Sequence, residues 1–419
     1  MDMEGLMALE KGIQERKREE GRAEIQARLQ AEADALEAVG SDGKPLKRVR
    51  RIGMVVDTSM GKARLEVVTG YCKTTGTWET PARRLWFRGE RRAVTPAFEQ
   101  ALLATACETG SYEKAARVCG AWGCNASDDK VMDMVRRAGN ACLPALLPKE
   151  CEGAAGNRDI LVVMMDGWMV RCRGRRWGEE DGAMDERVEW KECKSAVIFR
   201  LRDVAEVNKG RRTLVTKHVV AMPADTDPVA FGRRVHDEAV RMGLGRAAKA
   251  YVIMDGGVYL WGVYRDHFAP VAKGQLDYYH ASQHLHALAE ALIPGEERLA
   301  EREAWVAEKL DNLKHRGPRT LQEAVAEHEL AKMSDPERQA AARCEASYFA
   351  EHWGHMDYPG AQADGVPIGS GAMESQCSQN QNRFKRRGQF WSKTGFAAFL
   401  ELYVWYTNGE LDFLYRKAS

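Results

Sequence analysis

Two short segments of this chain nearly repeat one another: Val163-Met164-Met165-Asp166-Gly167 and Val252-Ile253-Met254-Asp255-Gly256. In each, an unbroken apolar run ends in a carboxylate followed by glycine. A run without polar alternation predicts a strand covered on both faces, in the middle of a sheet. Active sites of α/β sheets gather at the carboxyl ends of such strands. Carboxylates on neighbouring strands repel unless one is protonated or a cation lies between them. Hard oxygen ligands with no His or Cys alongside point to Mg²⁺ or Mn²⁺. A lone Asp-Gly turn is commonplace; two of them, both ending buried strands, carry the expectation of a metal pair.

A third acid is expected at Glu374, in Gly369-Ser370-Gly371-Ala372-Met373-Glu374. The glycines allow close backbone approach, and a helix then begins. Along it Glu374, Ser378, Gln381 and Lys385 recur at helical spacing, while Met373, Cys377 and Phe384 form the apolar stripe. The polar face would meet a phosphodiester, or it is simply a solvated face. Arg383, Lys385, Arg386 and Arg387 follow, the densest basic cluster in the chain. Trp391 beyond it either stacks on a displaced base or fills a helix-edge core. Asp277 and His280, in Asp277-Tyr278-Tyr279-His280, are accessory candidates near the acids or a buried polar pair closing a strand. Arg171, Arg173, Arg175 and Arg176 crowd the turn after the first acid and read as phosphate contacts or as a solvated hairpin tip.

The elements that must position these residues alternate as α/β from residue 157 on. Strands are expected at Ile160–Met165, Val188–Leu201, Thr213–Met222, Tyr251–Met254 and Gln275–Tyr278. Asp227-Pro228 opens a helix with Phe231, Val235, Ala239 and Met242 on one face. Residues 284–365, rich in Ala, Glu, Lys and Arg, read as a helical insertion before the pattern resumes at 366–419.

Ahead of this, residues 1–45 are charged, with sparse apolar positions: a solvated helix, a weak coiled coil or a partly disordered arm. Residues 46–92 alternate in β fashion through Leu85 and Trp86, and carry Arg83, Arg84, Arg88, Arg91 and Arg92. Residues 93–150 turn helical: Pro96 to Glu108, Tyr112 to Cys119, then a helix capped by Ser127 with Val131, Met134, Val135 and Ala138 inward. Short helices with Gly-containing turns suit a helix-turn-helix, whose third helix would turn Lys130, Arg136 and Arg137 toward DNA.

Together these residues resemble the DDE insertion-sequence transposases of RNase H-like fold, in the broad Mutator-related group and especially its Kra-type bacterial members. The resemblance covers about residues 95 to 410. It rests on Met165-Asp166-Gly167, Glu189-Trp190-Lys191-Glu192-Cys193-Lys194, Met254-Asp255-Gly256-Gly257, Leu276-Asp277-Tyr278-Tyr279-His280 and Ile368-Gly369-Ser370-Gly371-x-x-Glu374. It implies an α/β, RNase H-like mixed sheet with a helical insertion, and Asp166, Asp255 and Glu374 as catalytic metal ligands. Asp277 and His280 would match the family's acidic/Cys-x-x-His element. It further implies two Mg²⁺ or Mn²⁺ ions flanking the scissile phosphate, cleavage at element ends and strand transfer into target DNA. The partners would be terminal repeats, target DNA and a second copy in a dimer or larger synaptic assembly. The same acids would serve a nuclease of this fold without strand transfer, and a silenced DNA-binding descendant would keep the fold alone.

Composition sets limits on this expectation. In 419 residues, 62 basic and 61 acidic side chains give a net charge of only +1, so any DNA-binding surface must be local. Hydrophobic residues at 44% allow a packed core throughout most of the chain. No apolar run reaches the ~20 residues needed to cross a bilayer, and the N-terminus is not a signal peptide. A bacterial, nucleoid-associated cytoplasmic protein is expected, without a membrane partner. The 10 cysteines, of which Cys119 and Cys124 lie closest, lack zinc-ribbon spacing and read as small core residues.

Overall fold

The computed structural model describes every residue except 88–92, 124, 180–182, 209–210, 327–329 and 417–419. Arg88, Arg91, Arg92 and Cys124 therefore lie outside the described residues. The chain divides into two compact units, one of residues 1–141 with 411–419 and one of residues 142–410. Residues 46–92 and 93–141 thus share one unit, and the last residues of the chain join it.

In the first unit the charged N-terminus is ordered: α1 spans Met3–Ala35. It is neither a free arm nor wholly solvated. Strands β1 (Lys47–Thr58) and β2 (Gly61–Cys72) form a hairpin, with Met54 opposite Leu65 and Val56 opposite Ala63 on the buried face. The short β3 (Thr77–Glu79) pairs only with Gly70–Cys72, leaving the rest of that edge of β2 open. Helix α1 closes it with side chains. Gln26 and Gln30 accept from the N–H groups of Arg64 and Glu66 at 2.9 Å each, and Gln30 donates back to the Glu66 carbonyl. Two glutamines one helical turn apart thus stand in for a missing strand.

The expected strand through Leu85 and Trp86 is instead helix α2 (Pro81–Phe87), before a two-residue β4 (Ala93–Val94). Proline at the first helical position, with φ already set, accounts for that change. Helices α3 (Pro96–Thr109), α4 (Tyr112–Ala121) and α5 (Asp128–Ala141) then pack as a trihelical group. Ser127 caps α5 by accepting from Lys130 N, and Val131, Met134, Val135 and Ala138 are buried, as their spacing predicts.

The second unit is a mixed α/β body. Its strands are β5 (Ile160–Arg173), β6 (Val188–Arg200), the side hairpin β7 (Val204–Asn208) and β8 (Arg211–Leu214), β9 (His218–Met222), β10 (Lys249–Met254) and β11 (Lys273–Leu276). Helix α6 (Met184–Arg187) precedes β6. The main sheet has five strands in the order β11-β10-β5-β6-β9, with β6 antiparallel to both neighbours and β10 and β11 parallel to β5. Leu161–Met165, Cys193–Phe199 and Ala250–Met254 are buried on both faces, which makes β5, β6 and β10 the interior strands.

The expected strand at Thr213–Met222 is divided, because Arg211–Leu214 pairs with β7 outside the main sheet before the chain enters β9. The last strand ends two residues earlier than expected, since Asp277 caps a helix that begins at Tyr278. Helix α7 (Pro228–Arg241) follows β9, capped by Asp227 and seated by Phe231, Val235 and Ala239. Helix α8 (Val258–Val263) follows β10. The insertion comprises α9 (Tyr278–Leu292), α10 (Leu299–Arg316), α11 (Pro336–Glu351) and α12 (Tyr358–Ala363). Its Leu285, Leu288, Leu313, Phe349 and Tyr358 share one core with the sheet. Helix α13 (Gly371–Phe384) packs across β5, and α14 (Lys393–Thr407) packs beside β9.

Candidate active site

The register of β5 and β10 decides the first question about the acids. Met165 pairs directly with Met254 in parallel, so Asp166 and Asp255 are the next residues on adjacent central strands. Both are half-buried. Asp166 Oδ1 accepts from Gly167 N at 2.6 Å, and Asp255 Oδ1 accepts from Gly257 N at 2.8 Å. Burial pushes the Asp166 carboxyl up to about 6, with the charge of Asp255 adding to the push. The Gly167 N–H, the Cys377 thiol and His280 pull the other way without prevailing. Among the described residues no Lys or Arg forms an ion pair with Asp166, Asp255 or Glu374.

Helix α13 reaches this pair through Cys377, whose thiol lies 3.6 Å from Asp166 Oδ2 and 3.8 Å from the Gly167 carbonyl. Burial and the charge of Asp166 raise the thiol's pKa far above its usual value, so it stays a donor. Glu374, three residues earlier on the helix, is exposed and accepts from Ser370 Oγ at 3.4 Å. Among the described residues, the three acids are not drawn into a tight set of ligand atoms.

Asp277 takes a different place from the one expected. It is fully buried; Oδ1 accepts from Tyr279 N and His280 N, and Oδ2 accepts from Ser370 N. Its oxygens are taken up by backbone N–H groups, so it joins the start of α9 to the start of α13 and is not a further metal ligand. Gly369 lies at this joint, where a Cβ would come 2.6 Å from the Tyr279 ring. Through that joint Asp277 positions both His280 and the helix bearing Glu374.

Two tyrosines escape sequence reasoning. The Tyr259 hydroxyl is buried without a hydrogen-bond partner, and its pKa is raised by burial first and then by Glu192, Asp166 and Asp255. Its position, four residues past Asp255 and so one helical turn on, was the only available hint. The Tyr348 hydroxyl, from α11 of the insertion, is likewise buried and unpartnered. A Cβ on Gly256 would meet the Tyr348 ring at 2.5 Å, so the insertion lies directly over the Asp255 turn. No local signal links residues so far apart in sequence. Orphaned hydroxyls of this kind cost about 1–3 kcal/mol each and mark places where a ligand can complete the bonding.

A second cluster in this unit is close enough to hold a metal ion: ligand atoms of Cys151, His218 and Glu410 all lie within 4.8 Å of one another. His218 and Glu410 there already have protein partners. His218 Nε2 lies 3.0 Å from Glu238 Oε2 and 3.2 Å from Asn408 Nδ2. Arg241 donates to both Glu238 and Glu410. Burial pushes the Cys151 thiol up to about 11, away from the thiolate that binds metals.

The expected DNA-contacting side chains divide. Arg136, Arg173, Arg175 and Arg387 are exposed and Gln381 is half-exposed, although Arg175 pairs with Glu186. Lys130 does not face outward: it is paired with Asp57 and lies over Phe98. Arg137 pairs with Glu99, Arg176 with Glu179 and Glu186, and Arg386 donates to the Asn382 carbonyl. Arg383 stacks over Tyr403, and Lys385 over Trp190. Trp391 is a core residue and not a base-stacking platform. It is 8% exposed, donates to the Phe384 carbonyl and packs on Phe384, Phe396 and Phe399.

A scan against protein-family models and a search of curated proteins both found no match. No helix among the described residues is long and apolar enough to cross a membrane.

Proposed function

We propose that this chain is a DNA transposase with an RNase H-like core, in which Asp166, Asp255 and Glu374 hold divalent metal for phosphodiester cleavage and strand transfer. The observation that carries the reading is the register of β5 and β10, which sets two carboxylates side by side with no Lys or Arg among the described residues paired to either. The sheet supports it as well. An antiparallel meander β5-β6-β9 followed by two strands parallel to β5 is the order an RNase H-like core requires.

The donor set fits Mg²⁺ or Mn²⁺: the carboxylates of half-buried Asp166 and Asp255 and of exposed Glu374 are hard oxygen ligands. When bound, the metal would supply a water or 3′-hydroxyl of lowered pKa and stabilise the leaving oxygen. The chain's own residues do the rest. Asp166 and Asp255 fix the reacting centre on rigid central strands. Asp277 holds the start of α13, the helix that carries Glu374, and Gln381 and Lys385 would continue that helix along a bound strand. Tyr348, from the insertion, shields the Asp255 turn from water.

The test is joining of a labelled, pre-cut end of the encoding element into plasmid DNA in Mg²⁺. Wild type gives joined product and Glu374→Gln gives none. Cleavage without joining by wild type would make the chain a nuclease.

A further inference from the structure

Apart from the acids, the β5–β6 hairpin and the segment after α13 enclose a groove of about 600 Å³, lined among others by Arg171, Trp190, Lys191 and Phe390 and by the acidic Asp185 and Glu189. Trp190 is 52% exposed. The Arg171 guanidinium lies between the two aromatic walls, 5.9 Å from the Trp190 centroid and 5.1 Å from that of Phe390. Trp177 backs Phe390 at 4.9 Å between ring centroids, and Lys385 lies 4.9 Å from the Trp190 ring. Arg171 Nη2 is fixed by the carbonyls of Lys385 and Arg386, whereas its Nε–H is buried with no hydrogen-bond partner. An exposed stacking ring, a second aromatic wall and cations beside them fit a planar base with a phosphate alongside.

The same two strands carry the first acid, but side chains alternate along a strand, so Arg171, five residues on, points to the face opposite Asp166. Arg171 and Trp190 are directly paired across β5 and β6, as are Asp166 and Ser195. Five residues of strand separate the two pairs, roughly 16 Å. Glu374 and Lys385 are eleven residues apart along α13 and its end, again roughly 16 Å.

We propose that this groove is a nucleobase subsite, in which Trp190 stacks an unpaired base of a bound DNA strand. The inference rests on the DNA-processing reading. It assigns Trp190 the stacking role that the buried Trp391 does not fill.

The test uses the full-length protein and a fluorescein-labelled oligothymidylate 12-mer, read by anisotropy, beside a blunt hairpin duplex. Trp190→Ala is expected to weaken single-strand binding by about tenfold, since stacking contributes about 1–3 kcal/mol per base. Trp190→Phe should restore most of it, and duplex binding should stay unchanged. A 12-mer carrying 5-iododeoxyuridine should photocrosslink at Trp190 or Phe390. Unchanged single-strand binding by Trp190→Ala, or equal losses for strand and duplex, would overturn the subsite while leaving the transposase reading to its joining assay. Displacement of the 12-mer by equimolar thymidine monophosphate would mark a free-nucleotide site instead and also overturn it. A wild type that binds neither strand nor duplex would overturn both.

Discussion

Two carboxylate clusters in the larger unit have opposite electrostatics. At the ends of β5 and β10, burial and mutual repulsion drive Asp166 up to about 6, with no protein cation in reach of a salt bridge. Behind β9, desolvation acts on Glu238 in the same direction, yet His218, Arg234 and Arg241 overcome it and bring its carboxyl down to about 2. Glu410 pairs with Arg241 in the same network. Both clusters are buried or half-buried, and both bring ionisable groups together. The Glu238 network supplies its own counter-charges and needs nothing further, as structural ion pairs do. Among the described residues no Lys or Arg pairs with Asp166 or Asp255, and His280 offsets the burial of Asp166 only in part, while the buried hydroxyls of Tyr259 and Tyr348 lack hydrogen-bond partners. Proximity of ligand atoms alone would have chosen the Cys151–His218–Glu410 group; charge balance chooses the other.

The largest effect expected of this contrast is on chemistry. Asp166→Asn, Asp255→Asn and Glu374→Gln each reduce strand joining to background while end binding, followed by mobility shift, persists. Glu238→Gln should leave joining intact once the protein is folded. Loss of folding in all three acid variants, read by circular dichroism, would show that those acids are structural after all.

On stability the two clusters should respond with opposite signs. A folded pKa near 2 means that Glu238 stabilises the protein above pH 4.5, and that this contribution is lost as pH falls through 4.5 toward 2. Glu238→Gln is therefore expected to cost about 2–3 kcal/mol in urea unfolding at pH 7 and to flatten the acid limb of the stability profile. Asp166 has a raised folded pKa, so its ionisation penalises the metal-free fold as pH rises from about 4 to 6. Asp166→Asn should then stabilise the metal-free protein by about 1–2 kcal/mol at pH 7, after allowance for its partial exposure. If both substitutions destabilise equally, the clusters are alike and the contrast fails. The smallest effect is that of the ion itself: Mg²⁺ at ten times its dissociation constant should stabilise wild type by about 1.4 kcal/mol and leave Asp166→Asn unmoved.

Local patterns carried much of the site. The repeated apolar-Asp-Gly segments, the Gly-rich entry to α13 and the helical spacing of Met373, Cys377 and Phe384 are properties of neighbouring residues, and all lie where the spacing puts them. Partners distant in sequence were not legible. Lys130 reads as an outward cation on its helix, yet Asp57 from β1 pairs with it. Asp277 reads as a spare carboxylate until Ser370, far along the chain, donates to it. Trp391 resembles an exposed platform beside a basic run, but Phe384, Phe396 and Phe399 close around it. In the other direction, Gln26 and Gln30 look like ordinary solvated helix residues, and only the unpaired edge of β2 gives them a role.

The central claim is that the ion belongs to the acids on β5 and β10 and not to the cluster behind β9. Calorimetric titration of Mn²⁺ into wild type, the Asp166→Asn/Asp255→Asn double variant and the Cys151→Ala/His218→Ala double variant tests it directly. The account predicts binding to wild type and to the cysteine–histidine variant, with none to the double asparagine variant. Binding that survives the loss of both aspartates and vanishes with Cys151 and His218 would contradict it and move the metal to the other site.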